Sequence, residues 1–467
     1  MRFEKILSSL VATAALTACG SAPSTSPPTM DVPAAFKQGP VFVKLNPHAA
    51  EVPDAWWTLF NDPVLNDLQD RLIKGNQTLA SAAAAVSVAQ AALGSSRASL
   101  LPAVGVSAGA SRAANAASSG PATTYSLQGS LANWELDLWG RVAASVNAAD
   151  AKLQASRHTL AATRLSVQAT LAQSYFSLRT SDALAAVLTQ TVAAYTRSLD
   201  LTKNRYQGGV ASAADVAQAQ TQLKSAQAQL VEARLQRAQL EHAIASLLGQ
   251  APAALALPPP STGELPAPPL APLQLPSTLL ARRPDIAAAA AQVAAANAQI
   301  GAADAAFLPA LTLSANGGFR NGGLGSLIQA GNRFWSLGPT LAFAVFDGGA
   351  RRAASDSAQA SYDQTVATYR QTVLTALQEV EDNLVAASLL QEEMGLQQES
   401  LTSARRALDI AQNQYEAGTV SYLNVVTAQT TVLSAERSLL DVRNRRLAAV
   451  NQLLKNLAGR WGGTPST

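Results

Sequence analysis

The chain carries one pattern twice. Shifted by 209 residues it aligns with itself without a gap: Arg197, Leu199, Asp200, Asn204, Tyr206 and Gly209 fall on Arg406, Leu408, Asp409, Asn413, Tyr415 and Gly418. Downstream, Ser212, Val216, Ala219, Gln220, Ser225, Ala226, Leu230, Arg234 and Arg237 fall on Ser421, Val425, Ala428, Gln429, Ser434, Ala435, Leu439, Arg443 and Arg446. A shift of 207 brings Ala98, Leu101, Pro102 and Ser107 onto Ala305, Leu308, Pro309 and Ser314. Chance does not sustain a fixed offset over so many identities, so the fold must be buildable as two copies of one unit. The copies occupy 54–250 and 277–460. Between them, 251–276 holds Pro258-Pro259-Pro260 and Pro268-Pro269, where missing N–H groups and fixed φ angles exclude a helix. Residues 461–467 are a tail.

Each copy reads in the same order: helix, two strands, long helix, turn, returning helix. In the second copy 311–320 alternates, with Leu311, Leu313, Ala315 and Phe319 on one face and Thr312, Ser314, Asn316 and Arg320 on the other. The stretch 335–346 alternates as well, setting Trp335, Leu337, Leu341, Phe343 and Val345 against Ser336, Gly338, Thr340, Ala342 and Ala344. The Gly/Asn-rich 317–333 between them reads as a loop. In the first copy 101–112 and 124–138 are weaker strands around the loop 115–122. About ten residues per strand suits a tilted membrane β-strand. Four strands cannot close a barrel alone, and an open edge leaves N–H and C=O groups without partners in lipid. Several chains must therefore supply strands to one barrel.

The helices are the larger part. From Val142 to Tyr206 and from Ala350 to Tyr415 no Pro interrupts, so each stretch can run roughly 95–100 Å at 1.5 Å per residue. The returning helix shows a heptad seam: Val216, Ala219, Leu223, Ala226, Leu230, Ala233, then Arg237, then Leu240, Ile244, Leu247. Its copy reads Val425, Ala428, Val432, Ala435, Leu439, Val442, then Arg446, then Ala449, Leu453. This spacing implies coiled-coil packing. The opposite face, with Gln218, Gln222, Ser225 and Gln229, suits water. The two seam arginines read either as side chains reaching solvent at a seam edge or as ion pairs at a helix-barrel junction. Composition agrees: 97 of 467 residues are Ala and only 14% are charged, against about 25% in a usual soluble domain. The 34 basic and 31 acidic residues form no clusters, which argues against nucleic acid as a partner.

The amino terminus reads as an address. Arg2 and Lys5 precede the apolar run Ile6–Leu16, too short to span a bilayer, and Leu16-Thr17-Ala18-Cys19 resembles the bacterial lipobox. Residues 1–18 are then a lipoprotein signal peptide, and Cys19, the only cysteine, carries covalent lipid. By resemblance to enterobacterial-type lipoprotein sorting, Gly20 rather than Asp after the cysteine implies the outer membrane, and 19–53 reads as a lipidated tether. No later stretch has 18 apolar residues free of charge and Pro, so no transmembrane helix is expected.

The order, the duplication and the lipobox resemble the bacterial outer-membrane efflux channels, the TolC/OprM-type outer membrane factors, in their NodT-like lipoprotein branch. The most specific pieces are Trp134-Glu135-Leu136-Asp137-Leu138-Trp139-Gly140-Arg141 and Phe346-Asp347-Gly348-Gly349-Ala350-Arg351, each after a strand pair. Arg283-Pro284-Asp285-Ile286 and the tips at Tyr206-x-x-Gly209 and Tyr415-x-x-Gly418 add to the match. The resemblance implies an α+β, mainly α fold: a homotrimer whose 12-stranded outer-membrane β-barrel continues into a long periplasmic α-helical barrel. It implies passive efflux of drugs or other small solutes, with a periplasmic membrane-fusion adaptor and an inner-membrane pump of the RND type as partners.

By the same resemblance, Gly209, Val210, Ala211 and Ser212, with Gly418, Thr419, Val420 and Ser421, contact the adaptor. Tyr422, Leu423 and Asp215 form the gate, with Leu423 an apolar plug and Asp215 part of a carboxylate ring that sets cation preference. The chain departs from relatives at Thr427, where an Asp is frequent, and at Asn424, opposite Asp215, which makes this gate less charged. Asp200 and Asp409 read as solvated helix-face residues. Catalytic readings fail. His48, His158 and His242 lack metal-ligand spacing, no G-x-S-x-G elbow occurs, and no cofactor or metal is implied. The alternative is a non-channel, periplasm-spanning coiled-coil structural or adaptor lipoprotein, which the alternating strands disfavour.

Overall fold

The computed structural model describes residues 30–31, 33–37, 52–114, 120–260, 265–269 and 282–458. The signal peptide, Cys19, most of the tether and the tail lie outside them. Two compact units divide the chain. One holds Ala85–Arg157 and Ala288–Arg370; the other holds Asp31–Ala84, His158–Ala287 and the chain from Gln371 onward.

The first copy runs α1 (Pro63–Gly75), α2 (Gln77–Ala98), β1 (Val104–Ala113), β2 (Ala122–Leu136), α3 (Arg141–Gln207) and α4 (Ala213–Leu247). The second runs α5 (Pro284–Ala305), β3 (Ala310–Asn321), β4 (Arg333–Ala342), α6 (Ala350–Glu416) and α7 (Tyr422–Leu457). α3 and α6 are each 67 residues, about 100 Å of uninterrupted helix. α2 and α5 are long and apolar enough to cross a membrane by length and composition, contrary to the expectation of no such segment. Their hydropathy is that of alanine, which reaches a membrane-like mean without a run of large side chains.

The four strands form one antiparallel sheet in the order β1-β2-β3-β4. Directly opposed residues share a face. Leu131, Ala315 and Leu337 stand in one row, and Leu136, Leu311 and Leu341 in another. Val104 lies opposite Leu131. Ser130, Asn316 and Ser336 line the other face. The apolar side is uncovered: Val104, Val106, Trp335, Leu337 and Leu341 are all exposed.

Two strand ends differ from the sequence expectation. β4 stops at Ala342, because β3 begins opposite it at Ala310, after Pro309, whose nitrogen has no hydrogen to offer. Phe343, Val345 and Phe346 therefore extend beyond the sheet. Gly317 to Asn321 belong to β3 rather than to the loop. Glycine serves there for close approach: a Cβ on Gly318 would come 2.1 Å from the Leu127 carbonyl oxygen.

The second unit holds the main core. The turn Trp56–Phe60 packs Trp56, Trp57 and Phe60 against Leu65, Leu68 and Leu72 of α1, Tyr175 and Phe176 of α3, and Leu453 and Leu454 of α7. Phe60 and Phe176 meet at 4.7 Å between ring centroids. Asp62 caps α1 by accepting from the Val64 and Leu65 N–H groups, and its second oxygen accepts the Tyr175 hydroxyl at 2.6 Å. From the tether, Phe36 is buried in this core and the Lys37 N–H donates to Glu381 at 2.6 Å, so part of the tether is docked rather than free. The heptad seam of α4 is buried at Ala219, Leu223, Ala226, Leu230 and Ala233.

Candidate functional site

Two corners and two hairpin ends carry the repeated motifs. At the corners a carboxylate caps each long helix. The two oxygens of Asp137 accept the Val142 and Ala143 N–H groups at 2.9 and 2.7 Å. Asp347 accepts the Gly349 and Arg351 N–H groups at 3.0 and 3.2 Å, and Arg351 Nε donates back to it at 2.6 Å. In the first copy Arg141 Nε pairs with Glu135 instead, at 2.9 Å. A strand thus turns into a helix through groups fixed by charge and by the helix dipole.

At the hairpin ends Gly209 and Gly418 both have φ of 75°, the left-handed region that favours glycine. Val210 N–H donates to the Arg205 carbonyl and Gly209 N–H to the Tyr206 carbonyl; Thr419 and Gly418 repeat these bonds to Gln414 and Tyr415. Both ends are Schellman closures of a long helix. The returning helices start differently. Ser212 accepts the Asp215 N–H at 3.1 Å while the Asp215 carboxylate accepts the Ser212 N–H at 2.9 Å, a reciprocal capping box. Asn424 stands in that third position of α7, and Ser421 makes no side-chain cap there.

The sequence comparisons decide the assignment. The sequence model described as "Outer membrane efflux protein" matches residues 68–250 and 275–459. The chain belongs to the outer membrane efflux protein family. The probable efflux pump outer membrane protein TtgC of Pseudomonas putida is 33% identical, over 98% of this chain and 96% of its own. The outer-membrane channel OprN superposes with a TM-score of 0.85 at 29% identity, over 94% of this chain and all of its own. The open-state outer membrane channel MtrE of Neisseria gonorrhoeae gives 0.83 at 26%, over 95% and 98%.

For this efflux family member the hairpin ends are the segments of interest. Val210 is exposed, Ala211 half-buried, Ser212 exposed, Thr419 and Ser421 exposed and Val420 half-buried. The three residues assigned to the gate do not stand together as free side chains. Tyr422 is 1% exposed, its hydroxyl 3.1 Å from Ser198 Oγ and its ring 5.3 Å from that of Tyr415. Burial pushes its phenol above the ordinary range. Asp215 is half-buried in its capping box, whereas Leu423 is 54% exposed. Asp200 and Asp409 are exposed.

The seam arginines have different surroundings. Arg237 Nε donates to Asp182 at 2.6 Å, Nη1 to Glu241 at 3.1 Å, and Nη2 to the Leu257 carbonyl. Asp182, 2% exposed in its side chain, also accepts from Arg179, which holds the Pro258 carbonyl at 2.8 Å. The ion-pair reading therefore holds for Arg237, and it ties the Pro-rich linker to α3 and α4. Counted with the 209 shift, Gln391 and Val450 replace Asp182 and Glu241 near Arg446. Arg446 Nε is buried without a partner among the described residues, and burial lowers its pKa. A second cluster joins Arg283, 7% exposed in its side chain, to Asp285 at 2.6 Å and Glu379 at 3.0 Å.

Sequence reasoning missed Arg205. Its guanidinium lies 4.8 Å from the Tyr415 ring centre and Nη1 donates to the Glu416 carbonyl at 3.0 Å. The available signal was a mismatch: under the repeat Arg205 falls on Gln414.

Proposed function

We propose that three copies of this chain form one outer-membrane duct of a tripartite efflux system. The observation that carries this is the sheet: four strands, one apolar uncovered face, and two outer edges. β1 has ten residues and so does β4. About half the N–H and C=O groups of an edge strand point outward, each costing several kcal/mol if left unpaired in lipid. Tens of kcal/mol therefore oppose insertion of a single copy. Two copies give eight strands, a barrel whose interior side chains fill it; three give the smallest closed barrel with room for an aqueous path. The Ser, Thr and Asn row on the inner face suits water.

A periplasmic adaptor and an inner-membrane pump, with the RND type as the pump class, complete the system. Gly209 to Ser212 and Gly418 to Ser421 meet the adaptor. Leu423, an exposed apolar side chain at the start of α7, closes the duct, while Tyr422 and Asp215 hold the hairpin ends in shape. Lipid on Cys19 adds an anchor beside the barrel, and Phe36 fixes the far part of the tether. The test is complementation. In a strain lacking its own outer-membrane efflux channels, the chain with a matching adaptor and pump should restore drug resistance, and purified protein should form conducting trimers in planar bilayers. A protein that stays monomeric after mild detergent extraction and shows no β-barrel signal would overturn this reading.

A further inference from the structure

We infer that the barrel seam between copies, at its loop end and on its outward face, binds the phosphate group of an outer-leaflet glycolipid, held by Arg333 of one copy and Arg112 of the partner subunit. The inference rests on the ring of three copies proposed above. Residues 101–134 and 309–346 contain nearly all of the sheet and its two loops. Their only charged residues are Arg112, Arg320 and Arg333, with no Asp, Glu or Lys. All three lie at the loop ends of their strands. Arg320 falls on the inner face and stacks on the Phe334 ring at 4.7 Å. The other two face outward. Arg112 shares its face with Val104 and Val106, and Arg333 shares its face with Trp335, Leu337 and Leu341. Both are exposed.

A cation on the lipid side of a strand is costly at mid-bilayer and tolerated near the headgroups. Two aromatic residues fix that level. Trp335, 80% exposed, is the next outward residue along β4 from Arg333. Tyr125 lies opposite Ala110, the outward residue before Arg112. Tryptophan and tyrosine settle where hydrocarbon meets headgroups, so both arginines stand just past that boundary, at the depth of lipid phosphates. Closure brings them together. One row of opposed residues runs Ala108, Leu127, Phe319, Arg333. β4 therefore begins on a row where β1 still has 109–113 to run. In a barrel with strands tilted by about 35–45°, four spacings of about 4.8 Å shift a row by about 13–19 Å along the strands, or about four to six residues. Continued onto the next copy, the row through Arg333 meets β1 at Arg112 of the partner subunit or within two residues beyond it. The opposite shift would set the loop end of β4 against the helix end of β1 and leave both edges bare in lipid. Like charges so placed repel. A phosphate between them replaces repulsion with charge-assisted hydrogen bonds, which the planar guanidinium fork suits. Within one chain the two residues are three strand spacings apart, about 14 Å, too far to share one phosphate.

Native mass spectrometry of purified trimers titrated with lipid A tests this. Three lipids should bind per wild-type trimer, one at each seam. Arg112→Gln and Arg333→Gln should each weaken binding about tenfold or more, through the loss of a charge-assisted hydrogen bond. The double variant should lose little beyond either single one, because both residues hold the same phosphate. Arg333→Lys, which keeps the charge without the fork, should fall between wild type and Arg333→Gln. Arg320→Gln, on the inner face, should bind as wild type does. Lipid A stripped of its phosphates should bind wild type no better than intact lipid binds the double variant. Full binding of the stripped lipid, or an equal loss in Arg320→Gln, would overturn the site. Independent, multiplying losses from the two single variants would overturn its sharing between copies. Displacement of the lipid by an equal concentration of inorganic phosphate would assign the seam to a free anion and overturn the lipid. The trimer mass is read in the same spectrum, so a variant that fails to assemble is seen directly, and Arg112→Lys or Arg333→Lys then carries the comparison. Absence of wild-type trimers would instead sink the proposed assembly.

Discussion

Asp182 sits between two guanidiniums and is the point where the linker clamp can be opened with one atom pair. Its oxygens accept Arg237 Nε at 2.6 Å and Arg179 Nη1 at 3.1 Å, and its side chain is 2% exposed. The same two arginines hold the Leu257 and Pro258 carbonyls, and the Leu257 N–H donates to Glu241 at 2.6 Å. Asp182→Asn keeps the shape but removes the charge, and it points an NH₂ group at a donor. Breaking a buried pair from one side costs about 3–5 kcal/mol, because the remaining charge stays buried. At about 1.4 kcal/mol per factor of ten, the Leu257 amide should exchange its hydrogen between about a hundredfold and a few thousandfold faster. Hydrogen exchange followed by mass spectrometry over 252–260 in the purified assembly measures this. Unchanged exchange would refute the reasoning and leave burial of Leu255 and Leu257 as what holds the linker.

Three further outcomes follow from single sites. Gly318→Ala should abolish heat-stable oligomers on seminative gels, since its Cβ would meet the Leu127 carbonyl oxygen at 2.1 Å, while Gly338→Ala, with nothing within 4 Å, should assemble normally. Burial, with the nearby Tyr422 and Glu436, pushes the Tyr195 phenol from 10.0 up to about 12. A raised pKa gives stability that is complete below 10 and is lost as pH rises through 12, so hairpin-end protection from proteolysis should fall across that window in wild type and less steeply in Tyr195→Phe. Leu423→Ala should increase uptake of vancomycin in cells with correctly assembled trimers; unchanged uptake would remove this residue from the closure.

Much of the architecture is legible because it is local. The two long helices were bounded by the absence of Pro and by Gly209 and Gly418, and they run from Arg141 to Gln207 and from Ala350 to Glu416. Strand alternation survived in the sheet register for the same reason, since a pleat has a fixed period. What escaped depends on partners far along the chain. Gly317 and Gly318 look like loop residues until β2 is laid against them. Arg237 looks like a seam edge until Asp182, 55 positions earlier, is folded beside it. Tyr422 reads as a gate residue beside Leu423, yet the helix turns their side chains apart: one is buried against Tyr415 and the other is exposed. Asp215 looks like a free carboxylate, but Ser212, three residues before it, engages it in a capping box. Arg205 could have been found only by asking where the two copies disagree.

The central claim is that one chain is a third of a closed barrel and tunnel. Native mass spectrometry of the detergent-extracted protein tests it directly. The account predicts a dominant species of three chains. A stable single copy or a pair of copies, with the sheet still folded, would contradict it.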